Sequence, residues 1–310
     1  MDLSEAVKQK AIELGFDLVG ITDASAIEAG QVRRLAEWLE AGFAGQMAYM
    51  HRNFEKRVNA GRLLEGGESV ICVGLGYKPA TAAGSSTRQG RVAYYAQYED
   101  YHQFIKTRLG KLREFTASVV GGEGRFKICV DSAPLAERAL AVRAGLGFVG
   151  RNHMLINPVL GPEVLLGEII TNIKLRRDEP SEGNCSQCRG CIEACPTGAL
   201  RADGQFDASR CISYLTIEHE GEIRPSLGEK MGTRLFGCDE CVLACPYQQR
   251  APVRRNEQFR FYGQRAALGL EAVLGMSEDA FESEFADSPI RGAGLERLKR
   301  NARICLANMR

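Results

Sequence analysis

Eight of the eleven cysteines in this chain fall between Cys185 and Cys245, and their spacing constrains the fold more than any other feature. Cys185, Cys188, Cys191 and Cys195 follow C-x2-C-x2-C-x3-C and are closed by Pro196. Cys238, Cys241 and Cys245, closed by Pro246, form a shortened copy that lacks one cysteine, and Cys211 lies between the two runs to supply it. In such runs three thiolates hold one iron–sulfur cluster and the fourth reaches across to another. The crossing rule assigns Cys185, Cys188, Cys191 and Cys245 to a first 4Fe-4S cluster, and Cys195, Cys211, Cys238 and Cys241 to a second. Each run then donates a ligand to the other's cluster, so the stretch must fold back on itself.

Zinc is the competing reading of any C-x2-C pair, but it leaves the two C-x3-C-P endings unexplained. A disulfide framework belongs to secreted chains. Here the start, MDLSEAVKQKAIELG, carries acidic residues and no apolar run of the length a signal peptide or membrane span needs. A cytoplasmic location with no membrane partner is expected. At 310 residues and 45% hydrophobic content the chain can bury a core well beyond the cysteine stretch.

A formal net charge of +1 excludes polyanion binding by bulk charge and leaves only local patches. Residues 250–265 hold Arg250, Arg254, Arg255, Arg260 and Arg265 against Glu257 alone, and residues 294–310 hold Arg297, Lys299, Arg300, Arg303 and Arg310 against Glu296. Each is either a solvated face or a phosphate-contacting surface. Phe261 and Tyr262 beside the arginines favour the second reading slightly, because aromatics stack on unpaired bases.

Hydrophobic spacing predicts helices over 3–14 and 27–39 with a strand over 16–22 between them; Trp38 in the second helix reads as a packing residue. SVICVGLGY at 69–77 reads as a buried strand with Cys72 as a small core residue. Residues 78–91 are a flexible loop by composition. The cluster Tyr94, Tyr95, Tyr98, Tyr101 and His102 either covers the core or lines a large planar ligand, and it leads into a helix over 101–119. A strand over 126–130, holding Cys129, is followed by Asp131, Ser132, Ala133 and Pro134 and then the helical text PLAERALAVRAG. Pro134 suits a first helical turn, which would make Asp131 or Ser132 an N-cap; the other reading is catalytic. Gly145, Gly147 and Gly150 spell G-x-G-x-x-G, but a helix precedes them and strand-like text follows, the reverse of the dinucleotide-binding context. They are expected to turn the chain. After Cys211 a helix is expected through Leu215.

VDSAPLAERALAVRAGLGFVGRNHMLIN, LGEIITN, CxxCxxCxxxCPTGAL, RCISYLTIE, GCDECVLACP and SPIRGAGLERLKRNARI, taken in that order, resemble the epoxyqueuosine reductases, cobalamin-dependent iron–sulfur enzymes of tRNA queuosine synthesis. The resemblance covers nearly the whole chain. It implies an α+β fold with a nitroreductase-like cobalamin-binding domain over 1–177, as in reductive dehalogenases. A ferredoxin-like domain with two 4Fe-4S clusters follows over 178–250, and a helical extension with possible tRNA contact over 251–310. It implies reduction of epoxyqueuosine to queuosine at the wobble position of tRNAs for Asp, Asn, His and Tyr; the alternative is a dehalogenase-like small-molecule reductase. Many family members continue into a helical-repeat domain, so the chain looks like a short form. Phe148 and Arg151 replace the family's usual Trp and Lys.

Asp131 matches the Asp of the family's V-D-S-A-P motif and is the expected general acid and a cofactor neighbour, for which burial would have to raise its pKa. Arg57, Tyr94, Tyr98, Asn152, His153, Asn157 and Ser213 stand in loops expected to face cobalamin. The D-x-H-x-x-G signature of His-ligated corrinoids is absent, so no protein ligand to cobalt is expected and His153 is at most a hydrogen-bonding residue. Cys211 lies in a segment expected to face the corrin, which would make the second cluster the nearer one. A tRNA anticodon stem-loop, an external low-potential donor of ferredoxin or flavodoxin type, and a monomeric state complete the expectations.

Overall fold

The computed structural model describes residues 2–79, 88–122, 124–253 and 256–309. Its strands are β1 (Leu18–Asp23), β2 (Ser69–Gly76), β3 (Gln89–Val92), β4 (Phe126–Cys129), β5 (Phe148–Val149), β6 (Leu155–Ile156), β7 (Val164–Thr171), β8 (Arg234–Phe236) and β9 (Ala267–Gly269). The loop expected at 78–91 falls largely outside the described residues.

Strands β1, β2, β7 and β4 form an antiparallel sheet in that order. Every residue of β2 is buried, as its unbroken apolar text requires. Period-two alternation separates two cores. Ile71, Val73 and Leu75 face the helices Leu3–Glu13 and Tyr101–Val119, whereas Val70 and Cys72 join Cys129 of β4 against Leu140 and Ala141 of the helix Glu137–Arg143. That last helix presses on β1 so closely that a Cβ on Gly20 would lie 1.9 Å from the Ala144 carbonyl oxygen.

The helix expected to open at Pro134 begins instead at Glu137, with Ala136 before it and no side-chain cap. Asp131 and Ser132 are therefore not N-caps. Asp131 adopts φ 55°, a left-handed conformation uncommon outside glycine. The G-x-G-x-x-G text turns the chain as expected. Gly145 has φ 83° just past the helix, and a Cβ on Gly147 would meet the Ile156 carbonyl oxygen of the paired strand β6 at 2.4 Å.

A second sheet, β8-β3-β9, joins three distant stretches: β3 pairs parallel with β8 from the cysteine region and antiparallel with β9 beyond it. The helix Leu295–Ala307 packs Leu298, Ala302 and Cys305 onto this sheet in one core with Val92, Leu235, Phe236 and Leu270. The same helix corrects the reading of its basic text. Arg297 donates to the Ile217 carbonyl, and Arg300 donates to the carbonyls of Leu215, His219 and Gly221, clamping the segment that follows Cys211. Arg265 is only 2% exposed and donates to the Tyr98 carbonyl and to Asp287. These three arginines are structural, whereas Arg250, Arg260 and Arg303 stay exposed; Arg254, Arg255 and Arg310 lie outside the described residues. Among the described residues no helix is long and apolar enough to cross a membrane.

Gly20→Ala is expected to destabilise the protein by about 2 kcal/mol through overpacking against backbone. Gly110→Ala, in the helix Tyr101–Val119 with nothing within 4 Å of the added carbon, should stabilise it by up to about 1 kcal/mol. Thermal unfolding of the two variants checks this, and an unchanged Gly20→Ala protein would contradict the packing described.

Candidate active site and iron–sulfur centres

The eight thiols separate in space as the crossing rule requires. Cys185, Cys188, Cys191 and Cys245 line one cavity of about 40 Å³, together with Arg151, Asn152, Ile156, Pro246 and Tyr247. The Cys191 thiol feels the charges of Cys185, Cys188 and Cys245, whereas Cys241 feels those of Cys211, Cys238 and Cys195. Burial raises both thiols in the free protein, a cost that cluster ligation offsets by holding them as thiolates. Among the described residues no three His, Cys, Asp or Glu side chains converge closely enough to hold a single metal ion.

Local structure explains the fit. Two short helices, Gly190–Glu193 and Glu240–Leu243, carry Cys191 and Cys241 from within the two runs, and they pack against each other. The Arg151 amide donates to Cys185 Sγ at 3.4 Å, a hydrogen bond of the kind that tunes cluster potential, while the Arg151 guanidinium holds the Ser186 carbonyl. Phe148 is buried beneath this centre against Cys185, Cys245 and Tyr247, with its ring 5.5 Å from that of Tyr247. Cys188 is exposed and Cys191 and Cys245 are buried, so the first centre sits at the protein surface with one edge open.

Asp131 stands just past β4 with its side chain 60% exposed. Its Oδ2 lies 3.2 Å from His102 Nε2, and the other ring nitrogen, Nδ1, lies 2.7 Å from Asp100 Oδ1. Two ionised carboxylates accept from one imidazole only when both nitrogens carry protons, so the geometry specifies an imidazolium. Burial alone would lower the His102 pKa, but the bonds to Asp100 and Asp131 outweigh it and raise the value to about 9. The helix start fixes this ring, because Asp100 also caps the His102 amide at 2.8 Å. Tyr101 stacks on His102 with centroids 4.0 Å apart and its hydroxyl donates to Asp131.

This corrects the expected raised pKa. The His102 hydrogen bond, opposing burial, holds Asp131 below the usual carboxylate value. The proton of the pair resides on His102, and Asp131 is the group through which it can reach a substrate. Behind Asp131, its own amide donates to Glu137 Oε1 at 2.7 Å, and Glu137 bears electrostatically on the fully buried Glu168 of β7.

The other candidates divide. Arg57 lies near Glu137 and Tyr49, donates one bond to the Tyr49 carbonyl at 3.1 Å, and keeps a buried Nε with no partner. Burial, with the charges of Glu218 and Asp131, pushes Tyr49 up to about 12, which places it on the same face. Burial and nearby Arg138 lower His153, which therefore stays neutral with its ring 5.5 Å from that of Phe206. Ser213 is partly exposed on the helix that follows Cys211.

Tyr98 is 1% exposed and stacks on Phe259 at 4.8 Å, so it belongs to the core. Tyr94 lines a separate cavity of about 240 Å³ with Gln97, Arg91 and Cys238. It is Tyr95 and Tyr101 that approach Asp131. Asn157 spends its amide on the Leu146 carbonyl and on the amides of Val159 and Leu160, and Asn152 ties the Met154 amide to the Cys241 carbonyl. Both are latches of the fold. His102 was named only as part of the aromatic cluster, and Glu137 and Glu168 were not singled out as candidate site residues. A glutamate inside the apolar run VLLGEIIT was the available signal for the last of them.

A family model described as 4Fe-4S double cluster binding domain matches residues 184–248, and one described as Epoxyqueuosine reductase QueG, DUF1730 matches residues 57–132. The epoxyqueuosine reductase of Vibrio cholerae is 38% identical over 310 residues, covering 99% of this chain and 83% of that protein. The chain belongs to the epoxyqueuosine reductase family. Among solved structures, an epoxyqueuosine reductase with a tRNA-Tyr epoxyqueuosine-modified stem loop is similar at TM-score 0.91 and 33% identity, covering 99% of this chain and 81% of that one. A Bacillus subtilis epoxyqueuosine reductase, with its catalytic aspartate loop swung out of the active site, is similar at TM-score 0.91 and 32% identity over 99% of this chain and 82% of that one. The region that holds the eight cysteines is thus a 4Fe-4S double-cluster binding region, and epoxide reduction takes precedence over the dehalogenase-like alternative.

The raised His102 pKa makes the clamp's contribution to folding complete below the free value of 6.5 and lost as pH rises through about 9. An NMR titration of the His102 ring should give a midpoint near 9 in the protein as described and a lower one in Asp131→Asn. A midpoint near 6.5 in the unaltered protein would contradict the clamp.

Proposed function

We propose that this chain reduces epoxyqueuosine to queuosine at the wobble position of tRNAs for Asp, Asn, His and Tyr, using cobalamin bound in a nitroreductase-like N-terminal region. The observation that carries the reading is the Asp100–His102–Asp131 clamp: a charged imidazolium wired to an exposed carboxylate, on the face reached from the second cluster. Tyr95 supports that placement, because it feels the charges of both Asp131 and Asp239, the neighbour of Cys238.

Cobalamin supplies a strongly reducing, nucleophilic cobalt centre when bound. The fit rests on side chains whose polar atoms or rings have unused capacity. Arg57 has a buried, unpartnered Nε for a polar group of the cofactor, and neutral His153 and Ser213 are available as hydrogen-bonding groups. Tyr49, Tyr95 and Tyr101 offer ring surface and hydroxyls. Tyr94, Tyr98, Asn152 and Asn157 are not assigned to the cofactor, because their positions or polar atoms are already committed.

Opening an epoxide makes an alkoxide, which is a poor leaving group until protonated. His102 holds the proton, and Asp131 presents a carboxylate between the imidazolium and the open face. Proton transfer from His102 through Asp131 gives general acid catalysis without requiring an abnormally basic carboxylate. Electrons would enter from an external low-potential donor of ferredoxin or flavodoxin type at the exposed first centre, near Cys188, and leave the second centre, whose Cys211 opens the helix bearing Ser213. The anticodon arm is assigned to the exposed arginines: Arg260, whose guanidinium lies 4.6 Å from the Tyr262 ring, Arg250, 5.1 Å from the Tyr247 ring, and Arg303. The protein is expected to act as a monomer in the cytoplasm.

Reconstituted enzyme with cobalamin, a low-potential reductant and epoxyqueuosine-containing tRNA should yield queuosine, with no product when cobalamin is left out. Asp131→Asn should keep both clusters and the cofactor while losing on the order of 10²- to 10⁴-fold in rate. Failure of the complete system to convert the tRNA, or unchanged turnover in the variant, would contradict this assignment.

A further inference from the structure

Glu168 is the most unusual charge-bearing residue in the molecule. It is 0% exposed, in the middle of β7, with Cys72 of β2 and Cys129 of β4 as its direct cross-strand neighbours. Neither of its carboxyl oxygens has a hydrogen-bond partner among the described residues, and the charged group that bears on it most is another carboxyl, Glu137. Two carboxyls bearing on each other in a buried site cannot both ionise, so at least one of them carries a proton. Burial and Glu137 raise Glu168 far above the usual carboxylate range, and burial with the charge of Asp131 raises Glu137 as well.

The groups facing this pair leave it uncompensated. Asp131 stands on the loop after β4, and Arg138 projects from the same helix to an exposed position. Arg57 interacts from the far side with Glu137. His102 and Tyr101, on the helix Tyr101–Val119, are engaged by Asp131. Cys72 and Cys129 are uncharged thiols raised by burial, and Arg143 is committed to Thr22, Asp23, Ser25 and Ala26. An ionised pair here would be costly, so it stays protonated.

Resting on the proposed reaction, proton bookkeeping gives the pair a purpose. Deoxygenation breaks both C–O bonds of the epoxide, forms C=C, and releases the oxygen as water. That balance takes two electrons, from the external ferredoxin- or flavodoxin-type donor, and two protons. The His102–Asp131 clamp stores one proton. We propose that the Glu137–Glu168 pair stores the second and returns it to Asp131 after the first has been spent. The Asp131 amide, bonded to Glu137 Oε1 at 2.7 Å, holds the two carboxyl groups side by side for that return. When Asp131 has given up its proton and carries negative charge beside an already acidic wall, proton transfer from the pair relieves the repulsion, and solvent then refills the pair. Glu137 and Glu168 are positioning and proton-supply residues; neither is assigned contact with substrate.

The test uses the holoenzyme with both clusters and cobalamin, as the unaltered protein, Glu168→Gln and, should that variant fold poorly, Glu137→Gln at the less buried end of the pair. Infrared difference spectra in H₂O and D₂O at neutral pH should show the C=O stretch of a protonated carboxylic acid in the unaltered protein, lost in Glu168→Gln. With an epoxyqueuosine-containing stem-loop, Glu168→Gln should keep KM, lose on the order of 10²-fold in kcat at pH above neutrality, lose the titration of the pair from its pH profile, and recover rate with a small weak acid. Absence of the infrared band, or a variant with the unaltered pH profile and no rescue by weak acid, overturns the proposal. An unaltered holoenzyme that shows the band but converts no substrate contradicts the assigned reaction instead, so the two failures are separable.

Discussion

The exchange of one ligand between the two cysteine runs is the constraint from which the rest of this structure follows. Cys245 must reach the cavity of Cys185, Cys188 and Cys191, while Cys195 joins Cys211, Cys238 and Cys241. That crossing forces the helices Gly190–Glu193 and Glu240–Leu243 against each other and pins both ends of a segment of about fifty residues. The segment between them is then a closed loop whose geometry the clusters dictate. Everything attached to it inherits a fixed position: β8, the helix after Cys211, and the carbonyls that Arg297 and Arg300 hold.

The N-terminal part of the chain is joined to this loop by strand pairing and by a side-chain bond. Strand β3 pairs with β8 on one side and β9 on the other, and Asn152 bridges its own loop to the Cys241 carbonyl. Such ties suit a protein in which electrons must cross from one region to chemistry in another, because transfer and proton delivery both depend on fixed distances. The proton side is equally built in. His102 is charged because two carboxylates require it, Asp131 is exposed because the chain leaves β4 in a left-handed turn, and Glu168 is neutral because nothing around it can pay for its ionisation.

How much of this was legible in the sequence depends on the kind of residue. The cysteine partition was legible because ligand spacing is local arithmetic. The helix Tyr101–Val119 and strand β2 were legible because apolar periodicity is set by burial on a known repeat. Asp131 was found through the V-D-S-A-P text, yet its protonation was misread, because the partner that decides it, His102, lies 29 residues away in the chain. The arginines show the same limit: charge counting marked Arg265, Arg297 and Arg300 as surface, and only the fold reveals that carbonyls and Asp287 already occupy them. Asn152, Asn157 and Tyr98 were chosen as ligand contacts for being polar or aromatic, properties that serve equally to close a loop or fill a core.

The account's central claim, that the two runs exchange a ligand, is tested most directly by EPR of the reduced protein in single-cysteine variants. Cys195→Ser and Cys211→Ser should alter the same cluster signal, while Cys245→Ser and Cys188→Ser alter the other. If Cys195→Ser instead perturbs the signal affected by Cys188→Ser, each run serves its own cluster and the crossing on which this structure has been explained does not exist.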